Sequence, residues 1–244
     1  MKIFLNLKWA VGDTNPITNK AILAIYNPHT EAKPDLVANL GDFCSYCEVF
    51  VAGSEVEHIV SKNQDKELSK SWTNFALACG ICNNNPNKGS KSVDLDTMYF
   101  PHRNNTFLIF TYGEGGFVSI NIQLSNQQKQ KAQALMSLVG LDKYPKPNDT
   151  SVDLKNDRRW RHRREAWEYA VRYLTKYELR QVSAEAIADF ATRRGFFSVW
   201  FTVFMAHREV KAALINHFEG TALDCFDDDY NPIPRNRNSA SDPI

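Results

Sequence analysis

Two Cys-x-x-Cys pairs, Cys44-Ser45-Tyr46-Cys47 and Cys79-Gly80-Ile81-Cys82, constrain this chain more than any other feature. Two intervening residues let both sulfurs of a pair reach one ion, and four soft thiolates are the ligand set that tetrahedral zinc prefers. A closed four-cysteine shell leaves no position for substrate. The zinc expected here is therefore structural, pinning together segments too short to hold a core unaided. The fifth cysteine, Cys225, stands apart from both pairs. Such a set suits a disulfide framework poorly, and residues 1–30 carry no apolar export segment, so metal ligation in a cytoplasmic protein is the expectation.

Composition narrows the remaining classes only a little. The 244 residues are 43% hydrophobic and 23% charged, ordinary values for a globular protein. With a formal net charge of +1 the whole-chain balance points neither toward nor away from nucleic acid, so any basic surface is local. The longest apolar stretch, residues 196–206, would cover about half of a bilayer, which needs roughly twenty helical residues. It reads as core or as a partner-docking helix, and no membrane association is expected.

The pattern along the chain predicts an α+β protein in four parts. Residues 1–34 form an irregular N-terminal extension with one short helix at 21–25. Residues 35–124 form a zinc-stabilised unit: 49–51 and 56–60 read as the two strands of a hairpin turning at Ala52-Gly53-Ser54. A second hairpin, 107–112 and 117–124, surrounds Gly113-Glu114-Gly115-Gly116. From Ser125 the period becomes helical, with Ala132, Leu135, Met136, Val139 and Leu141 on one face. After a proline-rich linker at 144–151, helices are predicted at 157–177, 183–192 with Ser183 as N-cap, and 196–218, completing a helical unit over 125–226. Residues 227–244 read as a disordered tail.

Between and just after the cysteine pairs the sequence is unusually rich in chemistry. Val56-Glu57-His58-Ile59-Val60 sets a carboxylate beside an imidazole in an otherwise apolar strand. Asn74 precedes the second pair and Asn83 follows it directly. This pattern, Cys-x-x-Cys, then acidic-His-Ile, then Asn-aromatic-x-Leu-x-Cys-x-x-Cys-Asn, resembles the HNH nuclease family, whose fold is two strands and a helix around a catalytic metal. The resemblance implies His58 as general base, Asn74 as the amide bracing the loop behind it, and Glu57 with Asn83 as oxygen ligands of a catalytic Mg²⁺ or Mn²⁺. Lys88 would add a phosphate contact. Where many members have aspartate before the histidine, this chain has Glu57, whose extra methylene moves the carboxylate.

Outside that segment, Arg158-Arg159-Trp160-Arg161-His162-Arg163-Arg164 admits two readings. Arginines grip phosphates and tryptophan stacks on bases. On a helix, though, Trp160, Trp167, Val171 and Leu174 form an apolar stripe, with Arg161 and Glu165, and Arg164 and Glu168, spaced as ion pairs on a solvated face. The wider arrangement resembles the HNH effector subunit of Septu-type and retron-associated anti-phage systems, which implies a bacterial defence nuclease acting on DNA ahead of RNA, with an ATPase partner. A second copy of the chain is the other candidate partner. No Walker-type loop occurs, so any ATP dependence would come from elsewhere. The competing reading is a non-catalytic zinc-binding module that recognises nucleic acid or protein, which would need the cysteines but not His58.

Overall fold

The strand that carries Glu57 and His58 finds its partner after the polar loop, not before it. In the computed structural model, which describes residues 10–84, 86–145, 157–235 and 242–244, strand β1 (Glu55–His58) pairs antiparallel with β2 (Phe75–Ala78), His58 opposite Phe75 and Glu55 opposite Ala78. The predicted hairpin of 49–51 with 56–60 does not form. The first cysteine turn takes those backbone groups instead: Cys44 N–H donates to Val49 O, Phe50 bridges back to Phe43, and Val49 bridges to Gly195. All four β2 side chains are buried, as expected of a strand covered on both faces.

Directly after β2 comes the one-turn helix α2 (Gly80–Asn83), so two strands and a helical turn surround the second cysteine pair. Ahead of them, α1 (Lys33–Leu40) packs its buried Leu36 and Leu40 against β2. The predicted helix at 21–25 is absent. Ile25 instead bridges to Ser71, and Tyr26 N–H donates to Lys70 O, so this segment lies along the loop that precedes β2. The second hairpin is shorter than its sequence limits, with β3 (Phe110–Tyr112) paired to β4 (Val118–Ile120).

Helix α3 (Asn126–Val139) starts where the sequence places it, because Ser125 accepts from Gln128 N–H while the Gln128 side chain accepts from Ser125 N–H. Helices α4 (Arg159–Glu178) and α5 (Ala184–Arg194, capped by Ser183) also follow the expected order. The buried stripe of α4 differs from the predicted one. Arg159, Arg163, Ala166 and Ala170 face inward, while Val171 is exposed. Small alanines allow close helix packing, and the two inward arginines have specific partners described below.

The predicted helix at 196–218 is two helices, α6 (Phe197–Val203) and α7 (Arg208–His217), separated by a turn at 204–207. Phe196, Phe197, Val199, Trp200, Phe201 and Phe204 are all buried, α6 packing on α4 and α7 on α5. Most of this segment is core, with Met205 and Ala206 at its end exposed. Two glycines permit the close approaches that join the helices to the cysteine unit. At Gly195 (φ 74°) a Cβ would lie 2.5 Å from Glu48 O, and at Gly116 (φ 76°) one would lie 2.2 Å from Trp160 O.

The predicted disordered tail is held down wherever it is described. Phe226 bridges to Pro232, Arg235 pairs with Asp224, and Asp242 accepts from Tyr99 and Lys131. Ile244 is buried. Aromatic and charged anchors outweigh the polar composition that suggested disorder. Of the predicted linker at 144–151, residues 146–151 lie outside the described ones. One buried apolar cluster runs from Ile22 through both cysteine pairs and α6 to Ile244. Among the described residues no helix is long and apolar enough to cross a membrane.

Candidate active site and zinc cluster

Cys44, Cys47, Cys79 and Cys82 are all buried and unbridged, and their sulfurs lie within 4.8 Å of one another. The separation of Cys47 and Cys79 sulfurs is 3.7 Å. Zinc–sulfur bonds of about 2.3 Å set tetrahedral sulfurs about 3.8 Å apart, so the cluster is consistent with a structural zinc site. Burial pushes the Cys44 and Cys82 thiols well above the ordinary 9.0. For Cys47, hydrogen bonds from the other three sulfurs and the Arg159 charge overcome burial and hold the thiol well below it. Four protein sulfurs fill a tetrahedral shell, so this centre supplies structure rather than an open coordination position.

A separate cleft of about 350 Å³ opens beside β1, bordered by Glu57, His58, Lys62, Asn83, Asn84 and, from outside the cysteine unit, His29. His58 is half-buried at the end of β1, and its Nε2 lies 2.8 Å from Ser69 O. A carbonyl only accepts, so Nε2 carries the proton and Nδ1 is left as the ring's acceptor in the neutral imidazole. Burial holds the His58 pKa below the ordinary 6.5; the Ser69 bond opposes this, while the charges of His29, Lys62 and Lys88 add to it. A ring that is neutral at physiological pH and has a free acceptor nitrogen can take a proton from water.

The loop behind His58 is fixed by Asn74. Its amide oxygen accepts from Val60 N–H at 2.8 Å, and its amide nitrogen donates to Val60 O at 2.9 Å and Leu68 O at 3.1 Å. Gln64 adds a second clamp, exchanging two hydrogen bonds with the Val93 backbone. The loop that presents Ser69 O to His58 is thus tied at both ends.

Glu57 and Asn83 both border the cleft, the Glu57 side chain 2% exposed and Asn83 half-buried. Lys88 Nζ at 2.6 Å and Tyr46 OH at 3.2 Å both engage Glu57 Oε1. Asn83 Nδ2 donates to Glu55 Oε2 at 2.6 Å, which turns the amide oxygen away from that contact. Burial pushes the Glu57 carboxyl up to about 7, against the lowering effect of Lys88 and Tyr46 and with a further rise from Glu55. One carboxylate and one amide oxygen fit the donor chemistry of Mg²⁺ or Mn²⁺, which take oxygen ligands and retain waters.

Lys88 does not occupy the position that the phosphate-contact reading needs. It is 1% exposed, and its ammonium is bound by Glu57 and, at 2.6 Å, by His58 O. The backbone turns back after α2, with Lys88 N–H on Cys82 O and Gly89 N–H on Asn83 O, and this carries the side chain under β1. Among the described residues, the exposed cation bordering the cleft is Lys62, four residues after His58. Sequence reading also missed His29, whose ring centroid is 4.6 Å from that of His58. Burial and the Lys62 charge lower its pKa below 6.5. No spacing signal marks His29. The pairing of 25–26 with the 70–71 backbone brings it to the cleft.

Two strands and a helical turn thus surround a four-cysteine cluster, with His58 at the end of the first strand beside a polar cleft. Residues 44–89 match the family model of HNH endonucleases, so the chain carries an HNH endonuclease domain with a four-cysteine cluster, followed by a mainly helical region. Such a domain hydrolyses phosphodiester bonds of nucleic acid. No curated protein matches the chain.

Proposed function

We propose that this chain is a DNA endonuclease in which His58 is the general base. The observation that carries the reading is the Nε2 bond of His58 to Ser69 O, which leaves Nδ1 as the acceptor in a cleft bordered by two oxygen donors. Water gives its proton to His58 Nδ1 as its oxygen attacks phosphorus, and the bond from phosphorus to the departing sugar oxygen breaks. Glu57 and Asn83 would hold the divalent ion, which when bound offsets the charge that develops on the departing oxygen. Asn74 keeps the loop carbonyl in place, and Lys88 holds Glu57 at the cleft wall. Lys62, exposed at the rim, is placed to contact a phosphate.

The proposal extends to biology on the resemblance given above: the chain serves as the nuclease effector of a bacterial anti-phage complex with an ATPase partner. Most of α6 is buried, so little of it is left for a partner. The test of substrate is direct. Purified chain with Mg²⁺ or Mn²⁺ is offered duplex DNA and RNA of matched sequence; cleavage of DNA with RNA left intact supports the proposal, and the reverse preference overturns it.

A further inference from the structure

Arg159 belongs to a basic run that sequence reading leaves divided between nucleic acid and solvent, yet its guanidinium is 5% exposed and points to neither. All five of its N–H groups are used. Nε donates to Asp157 Oδ1 at 2.9 Å and Nη2 to Asp157 Oδ2 at 2.6 Å and Gly140 O at 2.8 Å. Nη1 donates to Val139 O at 2.9 Å and to Cys82 Sγ at 3.0 Å. A buried cation is retained only when it is paired and hydrogen-bonded, and this one spends a donor on a sulfur of the zinc cluster.

Four thiolates around one divalent ion make a doubly negative centre, and donors to the ligand sulfurs are the usual means of stabilising and tuning such a centre. We propose that Arg159 is a positioning residue of the zinc site: it donates to the metal-bound sulfur of Cys82, offsets the charge of the tetrathiolate, and makes zinc retention depend on helix α4. The inference rests on zinc filling the cluster. Its consequence is a physical link from the helical region to the nuclease cleft, because Asn83 follows Cys82 and borders the cleft. The end of α3 joins the same link through the Val139 and Gly140 carbonyls.

The test uses the full chain loaded with cobalt(II), whose sulfur-to-cobalt charge-transfer band reports electron donation by each thiolate, together with the rate of zinc transfer to a chelator from the zinc form. Loss of an N–H donor makes a thiolate a stronger electron donor. Arg159→Met is expected to move the band to lower energy and to weaken zinc retention about 10- to 100-fold. Arg163 is the control: it is equally buried one turn along α4 but donates to Gly116 O and Leu141 O. Arg163→Met is expected to leave the band in place, and an equal shift in both variants overturns the proposal. Should Arg159→Met not accumulate as folded protein, Arg159→Gln carries the same measurement without the charge. A wild-type band and release rate in the folded Arg159 variant overturn the role of Arg159. Wild-type protein that takes up no cobalt overturns the zinc site itself and this role with it.

Discussion

Asn74 holds Val60 by both ends of its amide, accepting from its N–H and donating to its carbonyl, so the loop after His58 is closed by a side chain sixteen residues further on. Removing that amide strands the N–H and carbonyl of Val60 together with the Leu68 carbonyl. Asn74→Ala is expected to destabilise the fold by about 2–3 kcal/mol in urea unfolding, since each buried group left unpaired costs about 1–3 kcal/mol and water recovers part of it. Cleavage should fall by about 10²-fold from the displaced base while zinc content stays at wild type. A variant with wild-type stability would show that the clamp does not constrain the loop.

Lys88 and Glu57 form a buried ion pair, 1% and 2% exposed. Breaking such a pair from one side costs about 3–5 kcal/mol, because the remaining charge stays buried without its partner. Lys88→Met is expected to lose that much in urea unfolding, and the double variant Lys88→Met with Glu57→Gln to recover a large part of it. Equal destabilisation in the single and double variants would contradict the pairing.

Zinc should be present at one ion per chain. Cys79→Ser is expected to lose the metal and to unfold at lower temperature, because binding free energy at a structural site is folding free energy. Cys225→Ser, at a cysteine equally buried but outside the cluster, should keep its zinc. Metal analysis and thermal unfolding of the two variants decide the matter, and a Cys79→Ser protein with full zinc occupancy would contradict the four-sulfur site.

Two ionisable groups set the expected pH dependence. The neutral form of His58 acts as base and its pKa is held below 6.5, so at saturating metal the base form is lost only as pH falls through that lowered value. Cleavage should therefore be on its plateau by neutral pH. Glu57, pushed up to about 7, holds a proton in competition with a divalent ion. The Mg²⁺ concentration for half-maximal cleavage is expected to fall as pH rises toward 7 and to level off above it. A half-maximal Mg²⁺ concentration independent of pH between 5.5 and 8 would exclude Glu57 as a ligand.

How much of this was legible in the sequence depended on whether the signal was local. Cys44, Cys47, Cys79 and Cys82 announced a four-sulfur cluster by spacing alone, and Ser125 and Ser183 marked helix starts because capping is decided within four residues. The mixed α+β cysteine unit and the helical region after it were readable from changes of period. Strand partnership was not. Val49 to Val51 have the composition of a strand, but the cysteine turn consumes their backbone groups, and β1 pairs with residues beyond a long loop. Charge was the weakest guide. Arg159, Arg163 and Lys88 looked like surface cations, yet each is buried against partners distant in sequence. His29 reaches the cleft by a tertiary pairing that no local pattern encodes.

If His58 moves the proton, cleavage of duplex DNA in Mg²⁺ by wild type and by His58→Ala shows it most directly. The imidazole makes one hydrogen bond to the loop, to Ser69 O, while Asn74, Gln64 and the zinc cluster hold the surrounding backbone, so the variant should fold and keep its zinc. Loss of a general base costs about 10² to 10⁴ in rate, and that is the expected fall. His58→Ala cutting at the wild-type rate, in a preparation free of contaminating nuclease, would contradict the assignment of this cleft as the active site.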